Sequence, residues 1–251
     1  MLIQTKKTIL ILMITTIMVI SMLFVYQDFL KHKGPEKKLL DDSVLIIYPG
    51  MTEIAYVPNS FYSFYKGECD DCKTHSLKVQ KGNRYNLGMN GHDFFFQSYY
   101  DINDLDIQRL PPLLYKYDSI ILLHNEYVTQ KVFDEITNHP NVIYLYPNSL
   151  YGKVEISFEK QEMTLVRGHG YPSPEIGNGF DWKDDNTPQE KDCEIGKWHF
   201  HNVTNGIQLD CYPENIINHD KELQDYIYKY LQDSKTSRQT QKLIPEFEKL
   251  K

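Results

Sequence analysis

Residues 117–147, YDSIILLHNEYVTQKVFDEITNHPNVIYLYP, decide the predicted fold. The apolar run from Ser119 to Leu123 is typical of a buried strand, and the apolar stretch 142–146 reads as a second one. Between them a helical pattern runs from about Thr129 to Asn138, and Thr129 is a suitable N-cap. Strand, helix and strand in this order predict a right-handed crossover between parallel strands. The first strand ends at four polar side chains: His124, Asn125, Glu126 and Tyr127.

The sequence before this unit predicts another buried strand and then a long irregular region. SVLIIYPG, residues 43–50, reads as a parallel-type strand that ends in a Pro-Gly turn. Residues 51–92 read as loops. The stretch 101–117 reads as a helix stopped by Pro111-Pro112.

The sequence after the unit predicts two hairpins and one helix. The first hairpin alternates over 153–170, and the second surrounds Asn205-Gly206. An amphipathic helix over 219–234 and a frayed polar tail over 234–251 follow. We therefore predict one α/β domain over 43–233, with a three-layer flavodoxin-like sheet and antiparallel hairpin additions. The carboxyl ends of its parallel strands meet at one rim, where such folds keep their sites.

The charge distribution excludes nucleic acid as a partner. The net charge is -7, and residues 1–38 carry six Lys against Asp28 and Glu36, which is +4. The remainder therefore carries -7 - 4 = -11. Nucleic-acid binding requires Lys and Arg for the phosphates, which an acidic body does not supply.

Residues 8–27, TILILMITTIMVISMLFVYQ, predict an N-terminal membrane anchor. Twenty residues without a charge are long enough to cross a hydrocarbon core as a helix. A cleaved signal peptide has a shorter apolar region and a small-x-small site, which VYQDFLKHKG lacks. A buried soluble helix of this length would show a polar stripe. The predicted order is a short tail 1–7, the lipid-spanning anchor 8–27 and a linker 28–42.

The orientation of this anchor rests on opposing signals. Four Lys follow the span and two precede it, which by the positive-inside rule keeps the body in the cytoplasm. The four Cys, the sequon Asn202-Val203-Thr204 and the acidic body favour the other side, since disulfides form in oxidising compartments. We expect a single-pass cell-membrane protein with an extracytoplasmic body, glycosylated at Asn202.

SVLIIYPG together with residues 117–155 resembles the core of the class I glutamine amidotransferase-like superfamily, in its trehalose-utilisation-type branch. The stretches HNEY and GHG also resemble those of uncharacterised membrane-anchored proteins of ammonia-oxidising archaea. The resemblance implies the fold and a cleft at the rim. That superfamily needs a Cys at the turn after the last of these strands, and this turn, YPNSLYG, has Asn148 and Ser149 instead. Glutaminase chemistry is therefore not implied for any residue.

The polar residues at the rim are the candidate site. Glu126 is a candidate general base and His124 an acid or metal ligand. Alternatively, Asn125 and Glu126 satisfy loop amides and the start of the following helix. His169 lies between two glycines that allow close approach of a ligand or simply make a turn. If His169 folds back towards Glu126 or Ser149, a hydrolytic arrangement becomes possible. The candidate binding residues are Asn125, Tyr127, Asn148 and Arg167.

Other motifs have alternative interpretations. Cys69–Cys72 and Cys193–Cys211 are expected as structural disulfides, with a redox pair or a four-Cys metal site as alternatives. His199 and His201 share one face of a strand and suit a metal, but no third ligand is evident, so no metal or cofactor is predicted. The aromatic runs 61–65 and 94–100 are expected to fill the core rather than to stack on sugars or a partner.

Two hypotheses of function follow. The first is a non-catalytic domain that binds a small molecule, a glycan or a partner protein at the rim. The alternative is a hydrolase of an amide or glycan-related substrate that uses Glu126, His124 and His169. An enzyme needs these side chains within hydrogen-bond reach of one another.

Overall fold

A computed structural model describes residues 41–78, 89–109, 114–185 and 191–248. Within these ranges no helix is both long and apolar enough to cross a membrane. The segment 8–27 predicted as an anchor lies outside them. The ten described strands are β1 Asp41–Tyr48, β2 Thr74–Ser76, β3 Tyr99–Asn103, β4 Ser119–Leu122, β5 Tyr127–Val128, β6 Val142–Tyr144, β7 Gly152–Ser157, β8 Glu162–Arg167, β9 Phe200–Val203 and β10 Gly206–Leu209.

Six described helices connect or cover these strands. Short helices dominate the first half, and one long helix ends the described chain. They are α1 Gly50–Ala55, α2 Phe61–Tyr65, α3 Met89–Phe96, α4 Asp104–Arg109, α5 Gln130–Thr137 and α6 Lys221–Glu248. The predicted cap of α5 is confirmed, because the Thr129 hydroxyl accepts the Val132 amide at 3.3 Å.

The main sheet has six strands in the order β3-β1-β4-β6-β10-β9. Its first five strands are parallel, and only β9 runs antiparallel, against β10. Numbered along the chain, the parallel strands stand in the order 2-1-3-4-5, which is the flavodoxin-like order. The predicted mixed α/β fold is therefore confirmed at this level. In this order the topological switch point lies between β1 and β4.

The structure corrects the sequence prediction between residues 49 and 117. Pro49-Gly50 is not a turn, because Gly50 begins α1 directly after β1. The region predicted as irregular contains α1, α2 and β2, and α3 begins at Met89. The helix predicted for 101–117 is wrong in its first residues, which belong to β3. These residues form β3 because they pair in parallel with β1, and this long-range pairing outweighs their local helical pattern.

The first predicted hairpin, β7–β8, belongs to a separate four-stranded sheet in the order β2-β8-β7-β5. The short strand β5 follows β4 and pairs in parallel with β7, through Tyr127 opposite Gly152. The chain thus leaves the main sheet after β4 and enters the second sheet three residues before α5. The side chains of 124–126 lie at the junction of the two sheets.

Apolar side chains pack on both faces of the main sheet. On one face, alternate residues of β1, β4 and β6 pack against α1, α5 and the second sheet. On the other face, Phe95 and the apolar stripe of α6, Leu223, Ile227 and Leu231, cover the sheet. The two helical layers explain why the central strands are apolar on both sides. Helix α6 continues to Glu248, well beyond the predicted end of the terminal helix.

Both predicted disulfides are formed, Cys69–Cys72 and Cys193–Cys211. Cys193–Cys211 is buried in the core under α6, and Cys69–Cys72 closes the loop between α2 and β2. No described cysteine is free. Two closed disulfides fit a domain that folds in an oxidising, extracytoplasmic compartment.

Candidate functional site

The candidate site is centred on Glu126, at the carboxyl end of β4 beside the switch point. Its side chain is 0 % exposed. Its backbone is fixed by the Gly152 amide, which donates to the Glu126 carbonyl at 2.8 Å. Three side chains approach its carboxylate, and we call the four residues the rim cluster: Tyr56, His124, Glu126 and His169.

His169 reaches Glu126 from the loop that follows β8. Its Nε2 lies 2.5 Å from Oε1 of Glu126, while 23 % of its side chain remains exposed. His169 has a positive φ of 51°, and the glycines on either side have φ of 121° and 74°. Three consecutive positive φ angles turn the chain sharply, which two glycines make possible. The amide of His169 donates to the Gly177 carbonyl at 3.0 Å and fixes this turn.

Tyr56, just after α1, binds the other carboxylate oxygen of Glu126. Its hydroxyl donates to Oε2 of Glu126 at 2.5 Å. The hydroxyl of Tyr62, on α2, donates in turn to the hydroxyl of Tyr56 at 3.0 Å. Tyr62 is 41 % exposed, so a chain of hydrogen bonds leads from the surface to the buried carboxylate.

His124 is the buried histidine of the cluster. Its Nε2 is 3.6 Å from Oε2 of Glu126. Its ring stacks on Tyr146, with centroids 4.9 Å apart, and meets the edge of Tyr212. The Asn148 side chain also approaches the ring, but within the described residues neither ring nitrogen makes a well-formed hydrogen bond. A buried imidazole whose nitrogens lack hydrogen bonds can bind a polar group of a ligand.

The charge state of the cluster follows from burial and from these contacts. Burial alone raises the pKa of Glu126. The contacts with His169, His124 and the Tyr56 hydroxyl lower it by more, so the net shift of the pKa is downward. Burial lowers the pKa of His124, against the opposing effect of Glu126. Burial and the nearby carboxylate raise the pKa of Tyr56. The cluster therefore holds a carboxylate, a neutral His124 and a protonated tyrosine at neutral pH.

Aromatic rings surround His169. Tyr127 stacks on it with centroids 5.5 Å apart, Tyr65 lies tilted at 5.3 Å, and Tyr151 meets it edge-on at 4.3 Å. Tyr127 is fully buried, whereas Tyr65 and Tyr151 are partly exposed. The open edge of His169 therefore faces solvent between aromatic side chains.

The structure brings only some of the predicted residues into this cluster. Glu126, His124 and His169 come together, as the hydrolytic hypothesis requires. Ser149 does not join them, because its hydroxyl donates to the Tyr146 carbonyl at 2.8 Å, and no hydrogen bond among the described residues links it to the cluster. Arg167 is used elsewhere, in a two-point ion pair with Asp181 at 2.7 and 2.8 Å.

Asn125 supports the cluster from behind. Its side-chain amide donates to Oδ2 of Asp104 at 2.9 Å, and its carbonyl accepts the Leu150 amide. Asp104 also accepts the amide of Met51, at the start of α1. These hydrogen bonds fix the ends of β3 and β4 and the start of α1 relative to one another.

No group of three or more His, Cys, Asp or Glu side chains within the described ranges is arranged to hold a metal ion. His201 lies on β9 opposite Gln208 of β10, and His199 directly precedes the strand. All four cysteines are in disulfides, which leaves no thiolate for the four-Cys metal site that was the alternative.

Sequence reasoning missed the tyrosines of the site. The run 61–65 was expected to fill the core, and Phe61 does, but Tyr62 and Tyr65 line the site. Tyr56 and Tyr151 were not singled out. The unusual count of 19 tyrosines was the one available signal, and it does not identify positions.

The sequence matches no protein-family model, and no curated protein matches it at a significant level. The geometry of the site is therefore the basis for its function.

Proposed function

We propose that this chain is a membrane-anchored, extracytoplasmic domain that binds a small neutral polar ligand, of the sugar type, at the rim cluster. Residues 8–27 serve as its anchor in this proposal. The observation that carries the proposal is the pairing of fully buried Glu126 with partly exposed His169 at 2.5 Å.

A structural role alone accounts poorly for this pair. Burying a carboxylate next to an imidazole contributes little net stability, because desolvation offsets the attraction. Clusters of perturbed titratable groups are typical of functional sites. The cluster also lies beside the switch point between β1 and β4, where open α/β sheets bind ligands.

The surroundings favour a ligand with hydroxyl groups and an apolar face. Tyr65 and Tyr151 offer partly exposed rings beside His169, on which such a face packs. Oε1 of Glu126 lies 2.5 Å from Nε2 of His169 beside the opening, a close polar contact without the alignment of a well-formed hydrogen bond. The net charge of -11 on residues 39–251 repels anions and leaves neutral ligands favoured.

The resemblance to the class I glutamine amidotransferase-like superfamily adds to this proposal. In an amidotransferase-like relative without its Cys, the rim keeps a binding cleft but loses the thiol chemistry. The two disulfides support exposure of this rim to the outside of the cell, where glycans are available.

The test is a thermal unfolding screen of the full-length protein with neutral mono- and disaccharides, and with sugar phosphates for comparison. A ligand at ten times its Kd stabilises the fold by about 1.4 kcal/mol, which shifts the Tm by roughly 3–6 °C. We expect such a shift for at least one neutral sugar. His169→Gln should abolish it, and His219→Gln, an exposed histidine near α6, should retain it. No shift, or a shift that survives His169→Gln, would overturn the proposal.

A second function, hydrolysis, is favoured by the same pair. A carboxylate that holds one nitrogen of an imidazole leaves the other nitrogen to act as a general base. Because Ser149 is bonded elsewhere and all four cysteines are oxidised, water would be the nucleophile. Nitrophenyl glycosides and N-acetylated sugars are suitable probes. Hydrolysis of these probes should be lost in both His169→Gln and Glu126→Gln. An equal rate of hydrolysis in wild type and His169→Gln would exclude this function.

A further inference from the structure

The exposed face of β9 carries a sequon beside aromatic rings. Side chains alternate along a strand, so Phe200 and Asn202 of β9 point to the same face, and Thr204 follows in the turn. Phe200 is buried, whereas Asn202 and Thr204 are exposed. Asn202-Val203-Thr204 is the single N-x-S/T triplet in the 251 residues.

An aromatic surface begins two residues before this asparagine. The ring of Phe200 stacks on Tyr226 of α6, with centroids 5.1 Å apart and planes within 9°. Trp198 meets Tyr226 edge-on at 5.7 Å. Tyr226 is 42 % exposed. Phe200 and Trp198 belong to the core and its margin, which leaves Tyr226 as the exposed ring of this group.

Strand β9 is also the last strand of the main sheet among the described residues. Its inner side pairs with β10, through Asn202 opposite Ile207. An exposed edge strand can pair with another chain unless it is protected. A bulky hydrophilic group on this strand would provide such protection.

We propose that Asn202 carries an N-linked glycan whose first sugar packs on the exposed ring of Tyr226, beside Trp198. The side-chain nitrogen of Asn202 forms a bond to the anomeric carbon of a lipid-phosphate-linked oligosaccharide. The bond from that carbon to the phosphate oxygen breaks, and the lipid phosphate leaves with the electron pair and takes up the proton lost by the amide. Both disulfides support folding on the side of the membrane where this transfer takes place.

The glycan fits the fold without rearrangement. The Asn202 side chain is exposed, so an attached sugar displaces no core residue. The amide of Thr204 donates to Asp184 at 3.0 Å, which fixes the backbone of the sequon. A sugar ring with one apolar face is complementary to the exposed ring of Tyr226, which the stack on Phe200 holds in place. This inference does not depend on ligand binding at the rim cluster.

The first test is mass spectrometry of the full-length protein isolated from its native cells. The peptide with Asn202 should carry an oligosaccharide mass. Thr204→Ser should keep the modification, and Thr204→Ala should lose it, although the backbone bond to Asp184 remains. Recovery of the wild-type peptide only in its unmodified form would overturn the proposal.

The second test measures the packing of the first sugar by a double-mutant cycle. Tyr226→Ala is introduced into the glycosylated wild type and into unglycosylated Thr204→Ala, and the unfolding equilibrium constants are compared. An aromatic contact predicts that Tyr226→Ala raises this constant by roughly twofold to tenfold more in the glycosylated chain. Equal effects in both backgrounds would overturn the packing of the sugar on this surface.

Discussion

Two fully buried carboxylates lie at the rim of the main sheet, and their pKa values move in opposite directions. Glu126, after β4, has a lowered pKa, because His169, His124 and Tyr56 outweigh the effect of burial. Asp104, after β3, is equally buried, and burial raises its pKa to about 7. Asp104 receives bonds from the Met51 amide and the Asn125 side chain, which carry no charge. Cationic or ionisable partners thus decide which carboxylate stays charged.

The comparison suggests a division of roles. Glu126 is prepared to hold and orient His169, as a ligand or acid–base site requires. Asp104 fixes the loops behind it through Asn125. Four substitutions test this division, starting from the largest expected effect.

Asp104→Asn should change the pH dependence of stability most. The pKa of Asp104 in the fold, about 7, lies above its ordinary value of 3.8, so its contribution to stability is complete below about pH 4 and is lost as pH rises through 7. This corresponds to about 4 kcal/mol between the two limits. Urea unfolding from pH 4 to 8 should show a flatter profile for Asp104→Asn than for wild type. Asp101→Asn, an exposed carboxylate of β3, is the control. Parallel profiles for wild type and Asp104→Asn would show that Asp104 titrates normally.

Glu126→Gln should cost about 3 kcal/mol at pH 7, because it leaves His169 beside a neutral amide and offers one acceptor to two donors. The free energy of unfolding in urea measures this loss. Glu53→Gln, in which a half-buried glutamate accepts from Tyr48 at 3.2 Å, should cost clearly less. Equal losses for the two variants would contradict a special role for Glu126.

Tyr56→Phe should cost about 2 kcal/mol, the contribution of a hydrogen bond to a charged group. It should also raise the pKa of Glu126, since one donor to the carboxylate is lost. Carbon-13 NMR of the glutamate carboxyl carbons follows this titration. Tyr62→Phe removes only the outer hydroxyl and should have a smaller effect on both quantities. An unchanged Glu126 titration in Tyr56→Phe would show that the bond is not maintained in solution.

Asp181→Asn should have the smallest effect. It breaks the ion pair with Arg167, but both side chains meet solvent, where such pairs contribute little. We expect no resolvable change in the urea midpoint and no change in sugar binding. A clear loss of binding would instead place Arg167 in the ligand site.

The local elements of the fold were largely predictable. Apolar runs identified β1, β4 and β6, Thr129 identified the start of α5, and Asn205-Gly206 identified the β9–β10 turn. Strand β3 was missed, since its pairing with β1 is a long-range contact that leaves no local periodicity. The end of α6 was missed because residues 235–242, KTSRQTQK, are all polar and carry no apolar stripe that would extend the helical pattern.

By itself the sequence determined the strands and helices with strong patterns and the polar residues at the end of β4. Those features depend on neighbours a few positions away. Only the tertiary structure decided that His169 meets Glu126, 43 residues earlier, and that Tyr56 meets it from 70 residues away. These contacts form because the parallel crossovers and the positive-φ turn at 168–170 bring distant loops to one rim. No short stretch of sequence encodes this arrangement of loops.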